Sequence, residues 1–130
     1  MLYTTFVRLL DEANKYEDSK EFIMSLGWQP WMDKEAGGSA DEAFVDADAI
    51  SGILELIHEL SGVDFKGLRK RTGLSMAKMA AAYQIPLRTI ENWDAGERGM
   101  TSYDLKLLKY TVFIHEKEGD DGYVDLTEQN

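Results

Sequence analysis

The 130-residue chain has no cysteine, two prolines and two histidines. Without thiols there is neither a disulfide framework nor a thiolate metal site, so zinc-finger architectures are excluded. His58 and His115 stand alone, without metal-ligand spacing. No apolar run approaches the roughly 20 residues that cross a bilayer, and the opening Met-Leu-Tyr-Thr-Thr-Phe lacks the basic and apolar regions of an export signal. A cytoplasmic chain without membrane contact is the expectation. Motifs with a chemical mechanism are equally scarce: no histidine partners a serine or aspartate at a recognisable spacing, and phosphate-cradling glycine patterns are absent. Carboxylate pairs such as Asp11-Glu12 and Asp120-Asp121 follow from the acidic composition. Neither an enzyme nor a cofactor is expected.

Positive charge is also in short supply, with 14 bases against 24 acids and a net charge of −10. That is the wrong sign for a simple nucleic-acid binder, but the distribution is uneven. Residues 1–62 hold 13 acids and 4 bases, residues 63–115 hold 5 acids and 9 bases, and residues 116–130 hold 6 acids and 1 base. A +4 segment therefore lies between flanks of −9 and −5. This divides the chain into an acidic helical extension (1–62), a basic domain (63–115) and an acidic tail (116–130), and a local basic patch is what phosphate contact requires. A hydrophobic content of 44% is ample for a packed core.

Periodicity predicts an all-α chain. Phe6, Leu9, Leu10 and Ala13 keep the helical repeat between Leu2 and Tyr16, with Arg8, Asp11, Glu12 and Lys15 opposite. Asp18 or Ser19 caps a short helix containing Phe22, Ile23 and Leu26, which Gly27 is expected to stop. Trp28, Trp31 and Met32 fall within six residues beside Pro30; they read either as a docking surface or, preferred, as plugs for a small core. Residues 34–41, with Gly37-Gly38-Ser39, read as a flexible loop. Asp46 or Asp48 can cap a helix to Leu60 whose apolar face is Ile50, Ile53, Leu54, Ile57 and Leu60, with His58 at its edge as a partly buried structural residue. Asp64 caps a helix to Thr72, in which Phe65 and Leu68 look inward and Lys66, Lys70 and Arg71 outward. After Gly99, Thr101 or Ser102 can cap a last helix from Tyr103 to about Phe113, with Leu105, Leu108 and Val112 inward. The β-branched and aromatic run Tyr110–Ile114 could instead be a short strand, paired with Tyr123–Leu126 in a C-terminal hairpin.

Residues 73–99 organise the rest. Ser75 is placed to cap a helix over 76–83, Gln84 and Ile85 form a corner, Pro86 suits the first turn of a second helix over 86–95, and Gly96 suits its end. On that second helix Ile90 and Trp93 fall on one side, while Arg88, Glu91, Asn92 and Ala95 fall on the other.

In these residues the chain resembles the lambda-repressor-like (Cro-type, Xre family) helix-turn-helix proteins. The resemblance runs from about Phe65 to Leu108 and is carried by Arg69, Gly73-Leu74-Ser75, Ala80, Ile85, Thr89-Ile90, Trp93-Asp94, Gly96 and Arg98. Three positions depart from the pattern: Met76 stands where Gln is usual, Gln84 where Gly is usual, and Met100 where Pro is usual. Met76 weakens the expected polar contact at the start of the supporting helix. A left-handed corner at Gln84 costs roughly 1 kcal/mol. The resemblance implies a helix-turn-helix bundle with additional N-terminal helices, and a structural ion pair between Arg69 and Asp94. Because such domains commonly have five helices and only four follow Gly62, the Asp48–Leu60 helix is expected to pack on the later ones.

It further implies double-stranded DNA as the partner, with the 86–95 helix in the major groove. Arg88 would face guanine, Asn92 adenine or a phosphate, and Leu87 a thymine methyl, with Glu91 on the same face. Ser75, Met76, Lys78, Thr89 and Arg98 would lie along the backbone. Two functions stay open: a sequence-specific transcriptional regulator, acting as a homodimer, or a protein-binding adaptor of antitoxin or phage-regulatory type that uses the acidic N-terminal half.

Overall fold

The computed structural model describes residues 1–35, 47–96 and 99–117. Among them the chain is all-helical: α1 Tyr3–Ala13, α2 Ser19–Ser25, α3 Pro30–Glu35, α4 Ala47–Ser61, α5 Phe65–Thr72, α6 Met76–Tyr83, α7 Leu87–Asp94 and α8 Ser102–Lys117. It divides into two compact units, Met1–Gly62 and Val63–Asn130. Among the described residues no helix is long and apolar enough to cross a membrane.

In the first unit, the Asp18 side chain accepts a hydrogen bond from the Lys20 amide and starts α2. The helix ends where Leu26 turns to extended backbone, one residue before the Gly27 that the sequence offers as its stop. Phe6, Leu9, Leu10 and Ala13 of α1, Phe22 of α2 and Met32 of α3 are buried with Ile50, Leu54, Ile57 and Leu60 of α4. Within its own unit the α4 face packs against α1, α2 and α3.

Phe22 lies near the middle of this packing. Its ring stacks on His58 at 6.1 Å and tilts against Tyr16 at 6.3 Å, and His58 Nε2 lies 2.8 Å from the Tyr16 carbonyl oxygen. His58 thus joins the connection between α1 and α2 to α4, a structural role in keeping with its place at the edge of the helix face. The indoles behave otherwise than expected. Met32 alone plugs the core, Trp31 is half-buried and Trp28 is 56% exposed. The reason is local: Pro30 begins α3, and Asp33 in its first turn accepts the Trp28 Nε1 hydrogen at 3.1 Å, which holds the ring outside. Lys34 and Glu35, read as loop, close α3; the Gly37-Gly38-Ser39 stretch lies outside the described residues.

The second unit packs α5 on α7 and α8, and α6 on α7. Phe65, Leu68, Leu74, Met79, Ile90, Leu108, Val112 and Phe113 form its core. Asp64 caps α5 by accepting from the Gly67 amide at 2.8 Å, and Gly73 ends it in the left-handed region at φ +74°. A reciprocal capping box opens α8: the Asp104 amide donates to Thr101 Oγ1 at 3.1 Å, and the Thr101 amide donates to Asp104 Oδ2 at 3.0 Å. Residues 110–114 are therefore helix interior. The strand alternative fails because a capped helix already buries Leu108, Val112 and Phe113 at helical spacing; its other arm, Tyr123–Leu126, lies outside the described residues.

Replacing the fully buried Phe22 by alanine is expected to destabilise the first unit by about 3–5 kcal/mol, since the ring leaves a cavity that flanking Tyr16 and His58 cannot fill. Chemical denaturation of the variant followed by circular dichroism measures the loss; a change below about 1 kcal/mol would show that this ring is not central to the unit.

Candidate nucleic-acid interface

Ser75 Oγ accepts from the Lys78 amide at 3.2 Å and caps α6. The helix ends at Gln84, the one non-glycine residue with positive φ among those described (φ 54°, ψ 45°). The Ile85 amide then donates to the Ala80 carbonyl at 3.0 Å, and the Gln84 amide to that of Ala81 at 3.4 Å. This is a Schellman closure, which normally uses glycine at the left-handed position because a Cβ is strained there. The corner keeps that geometry with Gln84 in it. Pro86 then stands in the extended N-cap position, one residue before the helix, and its carbonyl accepts from the Ile90 amide at 3.2 Å.

The second helix, α7, is held from one side. Ile90 is fully buried, and the Trp93 ring meets Phe65 edge-on, with centroids 5.5 Å apart. At its C-terminal end, Asp94 Oδ1 accepts from Arg69 Nε at 2.5 Å, in a pair whose side chains are only 12% and 16% exposed. The Arg69 hydrogen bond is the main cause of an Asp94 pKa below its ordinary 3.8; desolvation opposes the fall, and the charges of Arg69, Lys66 and Lys70 add to it. Arg69 Nη1 also donates to the Leu74 carbonyl at 3.3 Å. Beside this end of α7 opens a groove of about 520 Å³ lined by Phe65, Trp93, Met100 and Leu105, with Lys66 and Thr101 at its polar side.

Of the residues the sequence puts against DNA, Leu87, Arg88 and Glu91 are exposed together on α7, and Ser75 and Lys78 are exposed at the start of α6. Met76, Thr89 and Asn92 are half-buried, and Arg98 lies outside the described residues. Positions 87, 88, 91 and 95 follow one another around a single helical face, opposite Ile90.

Charge counting along the chain misses where several bases go. Arg71 Nε donates to both carboxylate oxygens of Glu116, at 2.9 and 2.7 Å, joining α5 to α8. Lys109 is buried, and desolvation lowers its pKa, with the Asp64 charge opposing and Lys106 assisting. With Arg69 engaged as well, three of the bases counted in this segment are buried or paired with a carboxylate of the same unit, although Arg71 stays at the surface. Tyr83 Oη and Thr111 Oγ1, 2.8 Å apart, add a neutral tie between α6 and α8. The hydrogen-bonded pairs among these join positions 25 to 45 residues apart in the chain, beyond the reach of local patterning. Among the described residues no group of histidines and carboxylates is arranged to hold a metal ion. No family model, curated protein or solved structure matches the chain.

Two outcomes are expected here. Gln84→Gly should stabilise the chain by about 1 kcal/mol, because it removes the Cβ strain of a left-handed residue; thermal or urea unfolding reads the gain, and a loss would mean that the Gln84 side chain contributes more than its backbone costs. A carboxylate whose folded pKa is depressed stabilises above its unfolded pKa and ceases to do so as pH falls through the folded value. Stability of the second unit should therefore decline below about pH 4, and Asp94→Asn should flatten that part of the stability-versus-pH curve. An unchanged acid limb in the variant would assign the decline to other carboxylates.

Proposed function

We propose that the chain is a sequence-specific DNA-binding regulator in which α6 and α7 act as a lambda-repressor-like helix-turn-helix, with α7 as the recognition helix in the major groove. The observation that carries the reading is the two-sidedness of α7: Ile90 is buried and Asp94 is tied to Arg69, while Leu87, Arg88 and Glu91 stand exposed on the other face. A helix anchored in this way can be pressed into a groove without moving its anchor. Arg88 supplies the fork that fits guanine O6 and N7, and Leu87, 44% exposed, supplies an apolar surface for a thymine methyl. Asn92, half-buried one turn from Arg88, serves an adenine or a phosphate at the rim. Ser75 and Lys78, at the start of α6, meet the phosphate backbone together with the amides there. One such helix reads only a few base pairs, so the active form is a homodimer on a palindromic site.

Selection of duplexes from a random pool tests the proposal, and an enriched palindromic sequence is the expected result. The absence of any enriched site, together with a monomeric mass in sedimentation, would overturn it in favour of an adaptor that keeps the two helices as scaffold. Against the selected site, Arg88→Ala should weaken binding by about 1–3 kcal/mol and relax preference at one base position, whereas Lys78→Ala should weaken specific and random duplexes alike. Equal losses from Arg88→Ala on both duplexes would demote Arg88 to a phosphate contact.

A further inference from the structure

We infer that Glu91 is a specificity residue of the α7 face, accepting a hydrogen bond from the N4 amino group of a cytosine next to the base pair that Arg88 reads. This rests on the DNA-binding reading and gives a base to the acidic group exposed on that face. Leu87, Arg88, Glu91 and Ala95 are exposed, whereas Ile90 is buried and Asp94 is bound to Arg69. Glu91 follows Leu87 by four residues and Arg88 by three, so the three side chains share one side of the helix.

Nothing in the fold accounts for a carboxylate there. Among the described residues the Glu91 side chain makes no hydrogen bond and no ion pair, and its neighbours one turn on, Asp94 and Ala95, are not bases. Arg88 stands at a spacing that suits an ion pair on a helix surface, yet the two form none. The helix gains nothing from the charge either, because a carboxylate in its C-terminal half, one turn before Asp94, meets the negative end of the macrodipole. On a face turned to a polyanion, such a group weakens every complex in which it finds no donor. It therefore discriminates.

Hydrogen-bond chemistry selects the base. An ionised glutamate accepts and cannot donate. In the major groove guanine shows N7 and O6 and thymine shows O4, all acceptors, so the amino groups of cytosine and adenine are the ones that can meet it. Their surroundings differ. Adenine N6 lies between its own N7 and O4 of the paired thymine, two acceptors that repel a carboxylate, whereas cytosine N4 has O6 of the paired guanine on one side and a C–H on the other. Cytosine is the better match. A helix lying along the groove advances about 4.5 Å over the three residues from Arg88 to Glu91, close to the roughly 3.4 Å between base pairs. The guanine of Arg88 and the cytosine of Glu91 thus fall on neighbouring pairs of one half-site.

The test is selection from a random duplex pool with the full-length parent, Glu91→Gln and Glu91→Ala, followed by affinity measurement on the parent's enriched duplex, its single-base variants and random duplex. The parent is expected to enrich a cytosine that Glu91→Ala no longer prefers and that Glu91→Gln replaces by adenine, since an amide offers the donor and acceptor that fit N7 and N6. Changing that cytosine to thymine should cost the parent about tenfold in affinity and leave Glu91→Ala unaffected. Both variants should bind random duplex more tightly than the parent at low salt, a gain that fades as salt is raised. Each replaces an exposed side chain without partners, so thermal unfolding should match that of the parent. If both variants keep the parent's base preferences, or if the position that Glu91→Ala relaxes holds a base other than cytosine, the role of Glu91 is overturned while the DNA-binding reading stands. If the parent enriches no site, that reading falls and the role of Glu91 falls with it.

Discussion

A guanidinium that enters a protein interior must keep its charge, so it has to be met by a carboxylate and by carbonyl oxygens, and every group that meets it becomes fixed relative to the others. Arg69 imposes this condition on the second unit. Its Nε donates to Asp94 at the end of α7, and its Nη1 donates to the Leu74 carbonyl ahead of α6. The segment between is closed by Thr72, whose hydroxyl donates to the Arg69 carbonyl at 2.6 Å and accepts from the Leu74 amide at 3.1 Å. One side chain of α5 thereby sets both the approach to α6 and the end of α7. The apolar packing of Ile90 and the edge-on contact of Trp93 with Phe65 fill the space that this arrangement leaves. Hydrophobic burial is non-directional. The ion pair supplies the direction.

The same economy explains why a basic segment does not make a uniformly basic surface. Arg69 and Lys109 sit in a half-buried ion pair and in the core, and Arg71 is paired with Glu116; among the described residues what remains exposed for a polyanion is Lys66, Lys70, Lys78 and Arg88. Sequence-independent DNA affinity grows with the number of phosphates neutralised. A set this small, on a chain of net charge −10, makes that contribution weak. Under the proposed function, discrimination among sequences must then come from the groove-facing side chains of α7, and random duplex competes poorly.

How much of this could be read from the chain follows from the range over which each interaction acts. Caps act within three residues: Asp64 and Ser75 cap where the sequence puts them, and Asp18 and Thr101 are the realised members of the pairs Asp18/Ser19 and Thr101/Ser102. Helix faces repeat within two turns, so the buried stripes of α1 and α4 were legible, as was α6 from Met76 to Tyr83. The Arg69–Asp94 pair was accessible only through the family resemblance. What escaped was non-local or a matter of degree. Nothing near Trp28 in the sequence says that Asp33 would satisfy its nitrogen from outside the core, and nothing near Lys109 says that it would be buried. The end of α2 was misassigned because Gly27 is a plausible stop, whereas Leu26 had already left the helix with an ordinary extended backbone.

Under the proposed function, α7 makes a strict demand on the backbone that carries it. Base contacts fail if a side chain is displaced by about an ångström, so α7 needs an anchor at both ends, and it has Gln84 held left-handed before it and Arg69 bound after it. The strain at Gln84 is tolerable because the Ile85 and Gln84 amides are both satisfied in the closure, and an amide left unmade there would cost more than the Cβ does. The strain at the corner is thus balanced locally, by the two closure hydrogen bonds and by the burial of Ile90 on α7.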